Sequence, residues 1–190
     1  MYGKGTSRAL AALSLLAAWV SGCDAPTITE ERAPVATAAA VAGSHGHAGV
    51  AMTKGVEDQL AVVRQATARF QQFDAAQDAG FTVKVTDCWE KQPEGAMGFH
   101  YANATRIDGA VEVANPEVLL YERQDNGRMR LVGVEWIIPF DQWHSDEPPV
   151  LMGIPLAKNF TFNVWALHAW IWKRNPKGMF FDWNPDVHCQ

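Results

Sequence analysis

The stretch Arg128–Pro139 limits what this chain can fold into more than any other. Val132, Val134, Trp136 and Ile138 fall on one alternating face, and Leu131, Gly133, Glu135 and Ile137 on the other. An antiparallel strand at a molecular surface keeps one face polar, so a strand that is greasy on both faces has to be central and covered twice. A layer must then lie on each side of its sheet. The stretch follows a second β-rich run, Glu117–Arg123, across Gln124-Asp125-Asn126-Gly127. Asn-Gly between two such runs is the strongest short hairpin signal.

Other strands read less sharply. Phe81–Thr86 alternates and ends at Asp87-Cys88-Trp89; a polar loop with Pro93 and Gly95 leads to the short apolar run Ala96–Tyr101, which contains His100. Asn103–Asn115 reads as a loop excursion. In Phe160–Trp172 the positions Trp165, His168 and Trp172 permit an amphipathic helix. A strand is preferred there, because aromatic and β-branched residues dominate and both period-two sets are coherent. Phe140–Leu156, rich in Pro, Asp and Trp, predicts a long surface loop, and the Asn175-Pro176 and Asn184-Pro185 pairs predict an extended, turn-rich tail.

Ahead of the strands lies a helical pattern. Thr53 is placed to cap it, Glu57 and Asp58 put negative charge in the first turn, and Val56, Leu60, Val63, Thr67 and Phe70 recur at three- and four-residue steps. Ala-rich residues continue it to Ala79, and Gly80 can take the left-handed capping conformation. One long N-terminal helix followed by antiparallel strands predicts an α+β fold, the helix packed on a curved sheet of about four to six strands. A closed, barrel-like sheet is the alternative. There is no internal repeat, and residues 53–190 suit a single core.

The first 22 residues read as a signal peptide. Lys4 and Arg8 precede the apolar run Ala9–Val20, which is too short to span a bilayer. Val20-Ser21-Gly22-Cys23 closely resembles a bacterial lipobox, which implies cleavage before Cys23 and lipidation of it, a stable membrane anchor. The expected address is the bacterial cell envelope, lipid-anchored on a periplasmic or extracellular face. Residues 23–52 are mostly small or polar and predict a flexible tether. Its His45-Gly46-His47 pair reads as solvated and incidental.

Without Cys23 two cysteines remain, Cys88 and Cys189. In an oxidising compartment they predict one disulfide closing a long loop. Losing Lys4 and Arg8 takes the formal net charge from −5 to −7. A mildly acidic surface without a basic stripe excludes nucleic acid as an expected partner.

Three ionisable residues interrupt otherwise apolar strands: His100, Glu135 and His168. Buried groups of this kind need a partner. On a shared face they would form a two-histidine, one-carboxylate set suited to zinc or non-haem iron. The same set without metal could be an acid–base pair, or a hydrogen-bonded structural network. His144 and His188 lie in loops and read as solvated. Tryptophans crowd the last third of the chain, and most must fill core; an exposed subset with Tyr101, Trp170 and Trp172 would make a flat ligand platform. No GxSxG elbow, HExxH, Gly-rich phosphate loop or CxxCH is present, so no catalytic residue is assigned.

The blocks Gly95-Ala-Met-Gly-Phe-His-Tyr-Ala-Asn103, Leu119-Leu-Tyr-Glu122, Leu131-Val-Gly-Val-Glu135 and Leu167–Cys189 resemble those of a group of bacterial secreted proteins and lipoproteins. The resemblance covers most of the chain from Thr53 onward. It implies no activity, because none is assigned to that group, but it does contain His100, Glu135 and His168. The resulting expectation is an envelope lipoprotein that binds a metal ion or small ligand. An enzyme using the same residues and a structural module without ligand are the alternatives.

Overall fold

The computed structural model describes residue 47 and residues 50–189. The expected signal peptide (1–22), the lipid-bearing Cys23 and His45 lie outside them. Helix α1 (Lys54–Thr67) starts as expected: the Thr53 hydroxyl accepts from the Val56 N–H at 3.3 Å, and Val56, Leu60, Val63 and Thr67 form its buried stripe. The expected single helix does not continue to Ala79. A 3-10 turn, Ala68–Gln71, follows α1, then Gln72 takes an extended backbone (φ −86°, ψ 109°), and a second short helix, α2 (Phe73–Asp78), restarts.

Contacts to the sheet account for the break. Phe70 packs edge-on against Phe81 at 5.1 Å, while Phe73 packs edge-on against Tyr101 and Tyr121 at 4.9 and 5.0 Å. The Tyr121 hydroxyl donates to the Phe70 carbonyl at 2.8 Å, satisfying a group that the break removes from the helical ladder. Interrupting the helix thus seats two aromatic anchors on a curled surface. Gly80, at φ 94°, ends the segment, with the Phe81 N–H bonded to the Ala76 carbonyl at 3.0 Å.

The strands are β1 (Val83–Lys91), β2 (Gly95–Ala102), β3 (Val118–Arg123), β4 (Met129–Pro139), β5 (Val150–Leu151), β6 (Ile154–Pro155), β7 (Ala157–Asn159) and β8 (Val164–Ala169). Six of them make one antiparallel sheet in the order β1-β2-β3-β4-β8-β7, curled into a half-barrel; β5 and β6 form a separate hairpin. The fold is α+β, and β4 is central as its two apolar faces require. Leu119, Tyr121, Val134, Trp136 and Leu167 share a cluster with Leu60, Val63 and Phe70 of the helical layer. A second cluster, Ala96, Leu120, Val132, Trp170 and Val187, brings the C-terminal tail against the other side.

Strict alternation fails at one point on β4. Leu120 pairs with Gly133 but Tyr121 pairs with Leu131, so Val132 is the extra residue of a β-bulge. Leu131 therefore joins the helical layer and Val132 the tail, the reverse of what period-two counting predicts. The displaced Val132 carbonyl accepts from the N–H groups of Trp172 and Lys173, both at 3.1 Å.

Phe140–Leu156 is also more than a surface loop. Leu151, Met152, Ile154 and Leu156 are buried in the main core, because the β5–β6 hairpin folds its apolar side chains inward. The strand reading of Phe160–Trp172 holds for Val164–Ala169; the residues before it form the turn of a β7–β8 hairpin.

The tail is pinned at several points. Ala96 and Asn184 exchange two backbone hydrogen bonds at 3.0 Å each, and Gly95, at φ 107°, leaves space there that a Cβ would take from the Asn184 carbonyl. The Trp170 indole N–H donates to the Phe181 carbonyl at 2.6 Å. Cys88 and Cys189 are bonded, with Cα atoms 5.5 Å apart. Among the described residues no helix is long and apolar enough to cross a membrane.

Candidate metal centre

Strand register assembles the centre. Glu135 on β4 is the direct partner of His168 on β8, and Val118 on β3 lies opposite Glu135. His100 on β2 pairs with Thr86 on one side and Leu120 on the other. These residues all point to the same face. Three strand spacings separate β2 from β8, about 14 Å in a flat sheet. Only the curl brings the two histidine rings together, with His100 Nε2 and His168 Nε2 at 3.2 Å.

Features along the strands account for that curl. β1 carries register shifts between Lys84 and Thr86, Thr86 and Trp89, and Trp89 and Glu90, and such bulges increase local twist. On β2, Gly98 adopts φ 80°, and a Cβ there would stand 2.6 Å from the Tyr121 carbonyl oxygen.

The Glu135 carboxylate faces both rings, with Oε1 3.6 Å from His168 Nε2 and Oε2 3.8 Å from His100 Nε2. One ligand atom from each of the three residues can be chosen so that all lie within 4.8 Å of one another. A tetrahedral ion with bonds of about 2.0–2.1 Å holds its ligands roughly 3.3 Å apart. The observed spacings fit that scale, and the buried His–Glu–His group could hold a metal ion.

The opposite ring nitrogens are both engaged. His168 Nδ1 lies 3.2 Å from Asp182 Oδ1, and His100 Nδ1 lies 2.9 Å from Thr86 Oγ1. A carboxylate beside Nδ1 requires that nitrogen to carry the proton, which leaves Nε2 with its lone pair toward Glu135 in the neutral ring. Second-layer partners of this type orient histidine ligands and raise their basicity.

All three side chains are buried, at 5, 7 and 5% exposure for His100, Glu135 and His168. Burial, with the cation at His168 adding to it, pushes His100 down to about 3. Burial also disfavours charge on His168, yet Glu135 and Asp182 outweigh it and hold that ring up at about 9. Burial raises Glu135, and the Asp182 charge adds to the rise. Two carboxylates thus share one imidazolium in a dry place, an arrangement that a bound cation would relieve.

The open side of the centre meets a small cavity of about 50 Å³ whose walls include Val85, Met97, Val118 and Ile137. Trp89 and Phe162, stacked at 5.5 Å, also line it. A larger cleft of about 400 Å³ shares Trp89, Met97, Asn159 and His168 with it. His168 thus belongs to the walls of both hollows.

The expected flat platform is not formed. Trp170 is buried and Tyr101 and Trp172 are partly buried against the core; the Trp172 indole N–H donates to Thr67 Oγ1 at 3.2 Å, and Tyr101 is an edge-on neighbour of Phe73 and Tyr121. Their rings anchor layers. The aromatic residues beside the centre are Trp89 and Phe162, which the sequence does not single out.

His47 also departs from its reading as a solvated tether residue. It is half-buried, its N–H bonds to the Phe180 carbonyl at 3.4 Å, and its Nε2 is buried without a hydrogen-bond partner. Burial lowers its pKa, with Asp182 and His168 as its electrostatic neighbours. Val50 packs on the core as well, so the folded unit starts ahead of Thr53. His144 and His188 are exposed, as expected. Asp182 and Thr86 were not legible as site residues; Asp182 sits in a polar tail and Thr86 ends an ordinary alternating strand.

No family model, curated protein or solved structure matches this chain.

Proposed function

We propose that this chain is a bacterial envelope lipoprotein whose folded domain binds a divalent transition-metal ion through His100, Glu135 and His168. The observation that carries the reading is the convergence of two Nε2 atoms and one carboxylate, each ring fixed from behind by Thr86 or Asp182. Zinc fits best, since two imidazoles and a carboxylate are its ordinary donors and the spacings are tetrahedral in scale. Iron(II) is the second candidate for the same set. In either case positions facing the cavity stay open for water or a ligand, which leaves metal-assisted hydrolysis as the enzymatic form of this reading. The lipobox-like Val20-Ser21-Gly22-Cys23 supports the membrane address.

Elemental analysis of the purified, tag-free chain should find about one zinc per chain. The His100→Ala/His168→Ala variant should lose it while keeping its fold by circular dichroism. A metal-free protein whose thermal stability ignores added zinc would sink the metal reading. Replacing Cys23 with Ser should move the protein out of the membrane fraction; a Cys23→Ser protein that stays membrane-bound would sink the anchor.

A further inference from the structure

The two edges of the sheet are β1 and β7, five strand spacings apart, about 24 Å if the sheet were flat. Among the described residues no backbone ladder joins them. Side chains do: Trp89 of β1 stacks on Phe162, in the turn between β7 and β8, with ring centroids 5.5 Å apart and planes 28° from parallel. This bridge lies over the centre, because both rings line the cavity that also touches His100, Glu135 and His168. Packing does not account for it. Trp89 and Phe162 remain 38 and 37% exposed, and neither belongs to the two core clusters of the described residues. The turn nevertheless holds Phe162 in place, since Asn159 Oδ1 accepts from the N–H groups of Thr161 and Phe162 at 3.1 and 3.3 Å.

Beneath the stack the walls are mostly apolar, with Val85, Met97, Val118, Ile137 and Val164 among them. An apolar cavity of about 150 Å³ takes a benzene ring, so about 50 Å³ leaves room beside an ion for only a few heavy atoms. We propose that the ion at His100, Glu135 and His168 takes a small donor molecule of about three heavy atoms, and that Trp89 and Phe162 set this size limit by excluding anything larger. The assignment rests on the metal reading of the centre.

The test compares formate with benzoate, which offer the same carboxylate donor on bodies of different size. Cobalt(II), loaded into the full chain in place of zinc, reports a new ligand through its visible absorption. Formate should change the spectrum and bind at least about tenfold more tightly than benzoate. In Trp89→Ala/Phe162→Ala, benzoate affinity should rise about tenfold or more while formate affinity stays within about threefold. Phe162→Ala alone, a change confined to a turn, should shift benzoate in the same direction and serves if the double variant does not fold. A wild-type chain that binds benzoate as tightly as formate, no response to formate, or variants that still exclude benzoate overturn the proposal with the metal reading intact. A chain that takes up no cobalt overturns the reading of the centre, and this inference with it.

Discussion

Glu135 and His168 face each other directly across β4 and β8, with the carboxylate Oε1 3.6 Å from the ring Nε2. Neither could be buried alone at tolerable cost, and the pairing is fixed by the backbone ladder. The third member, His100, reaches them only because the sheet curls.

Asp182 behind His168 gives the sharpest mutational test of the metal reading. Asp182→Asn can present an amide N–H toward Nδ1, which favours the tautomer whose proton sits on Nε2, where the ion must bind. Zinc affinity should fall about 10- to 100-fold, as for other partners of metal-bound histidines. Competition against a chromophoric chelator measures it, and an unchanged affinity would show that Asp182 does not orient the ring toward a metal.

Glu117 should control the pH dependence of stability. It is almost fully buried, and burial raises its carboxyl from 4.5 to about 8, opposed by the Ile137 N–H bonded to Oε2 at 3.0 Å. The unfolded chain releases this proton near 4.5 and the folded chain near 8, so the folded state binds more protons between them. Stability contributed by this group is present at low pH and is lost as pH rises through that window, by a few kcal/mol. Urea midpoints of wild type and Glu117→Gln should diverge across the window, with the variant flatter. Parallel curves would disprove the shift.

The Cys88–Cys189 bond spans 101 residues of sequence. On the chain-entropy account, removing such a link costs about 4–5 kcal/mol. The Cys88→Ala/Cys189→Ala variant should lose that order of stability in chemical denaturation. Mass spectrometry of the exported protein should find no free thiol at either position, and two free thiols there would contradict the bond.

Gly95 tests the seating of the tail. A Cβ at this position would overlap the Asn184 backbone, and φ 107° is itself unfavourable for alanine. Gly95→Ala should therefore destabilise by several kcal/mol, well above the usual range for surface changes. It should also expose Trp183 to added quencher in fluorescence measurements. A variant as stable as wild type would mean the tail is held elsewhere.

Much of this arrangement could be read from residue types. Both faces of Arg128–Pro139 are apolar, which identified the central strand, and charged groups set into greasy strands marked His100, Glu135 and His168. Two cysteines left after Cys23 is set aside, in the oxidising compartment that the lipobox-like segment leads one to expect, point to the Cys88–Cys189 pair. What the sequence hid follows from geometry. The bulge at Val132 has no local signal, so Leu131 and Val132 exchanged faces. The break at Gln72 has no proline or glycine; it comes from Phe70 and Phe73 both seeking the sheet. Tyr101, Trp170 and Trp172 were ambiguous because an aromatic ring suits a core as well as a platform. Asp182 and His47 are ordinary polar residues in segments without periodicity, and only tertiary contacts give them a place near the centre.

Cys189, Trp183, Asp182 and His168 all belong to the end of the chain, while His100 and Thr86 belong to its middle. A ribosome that has yet to add β8 would have made His100, Glu135 and Thr86 but neither His168 nor Asp182, and not the Cys189 half of the disulfide. The group can therefore be assembled only after Asp182 has been made, and chains cut short anywhere before it should fail to retain added zinc.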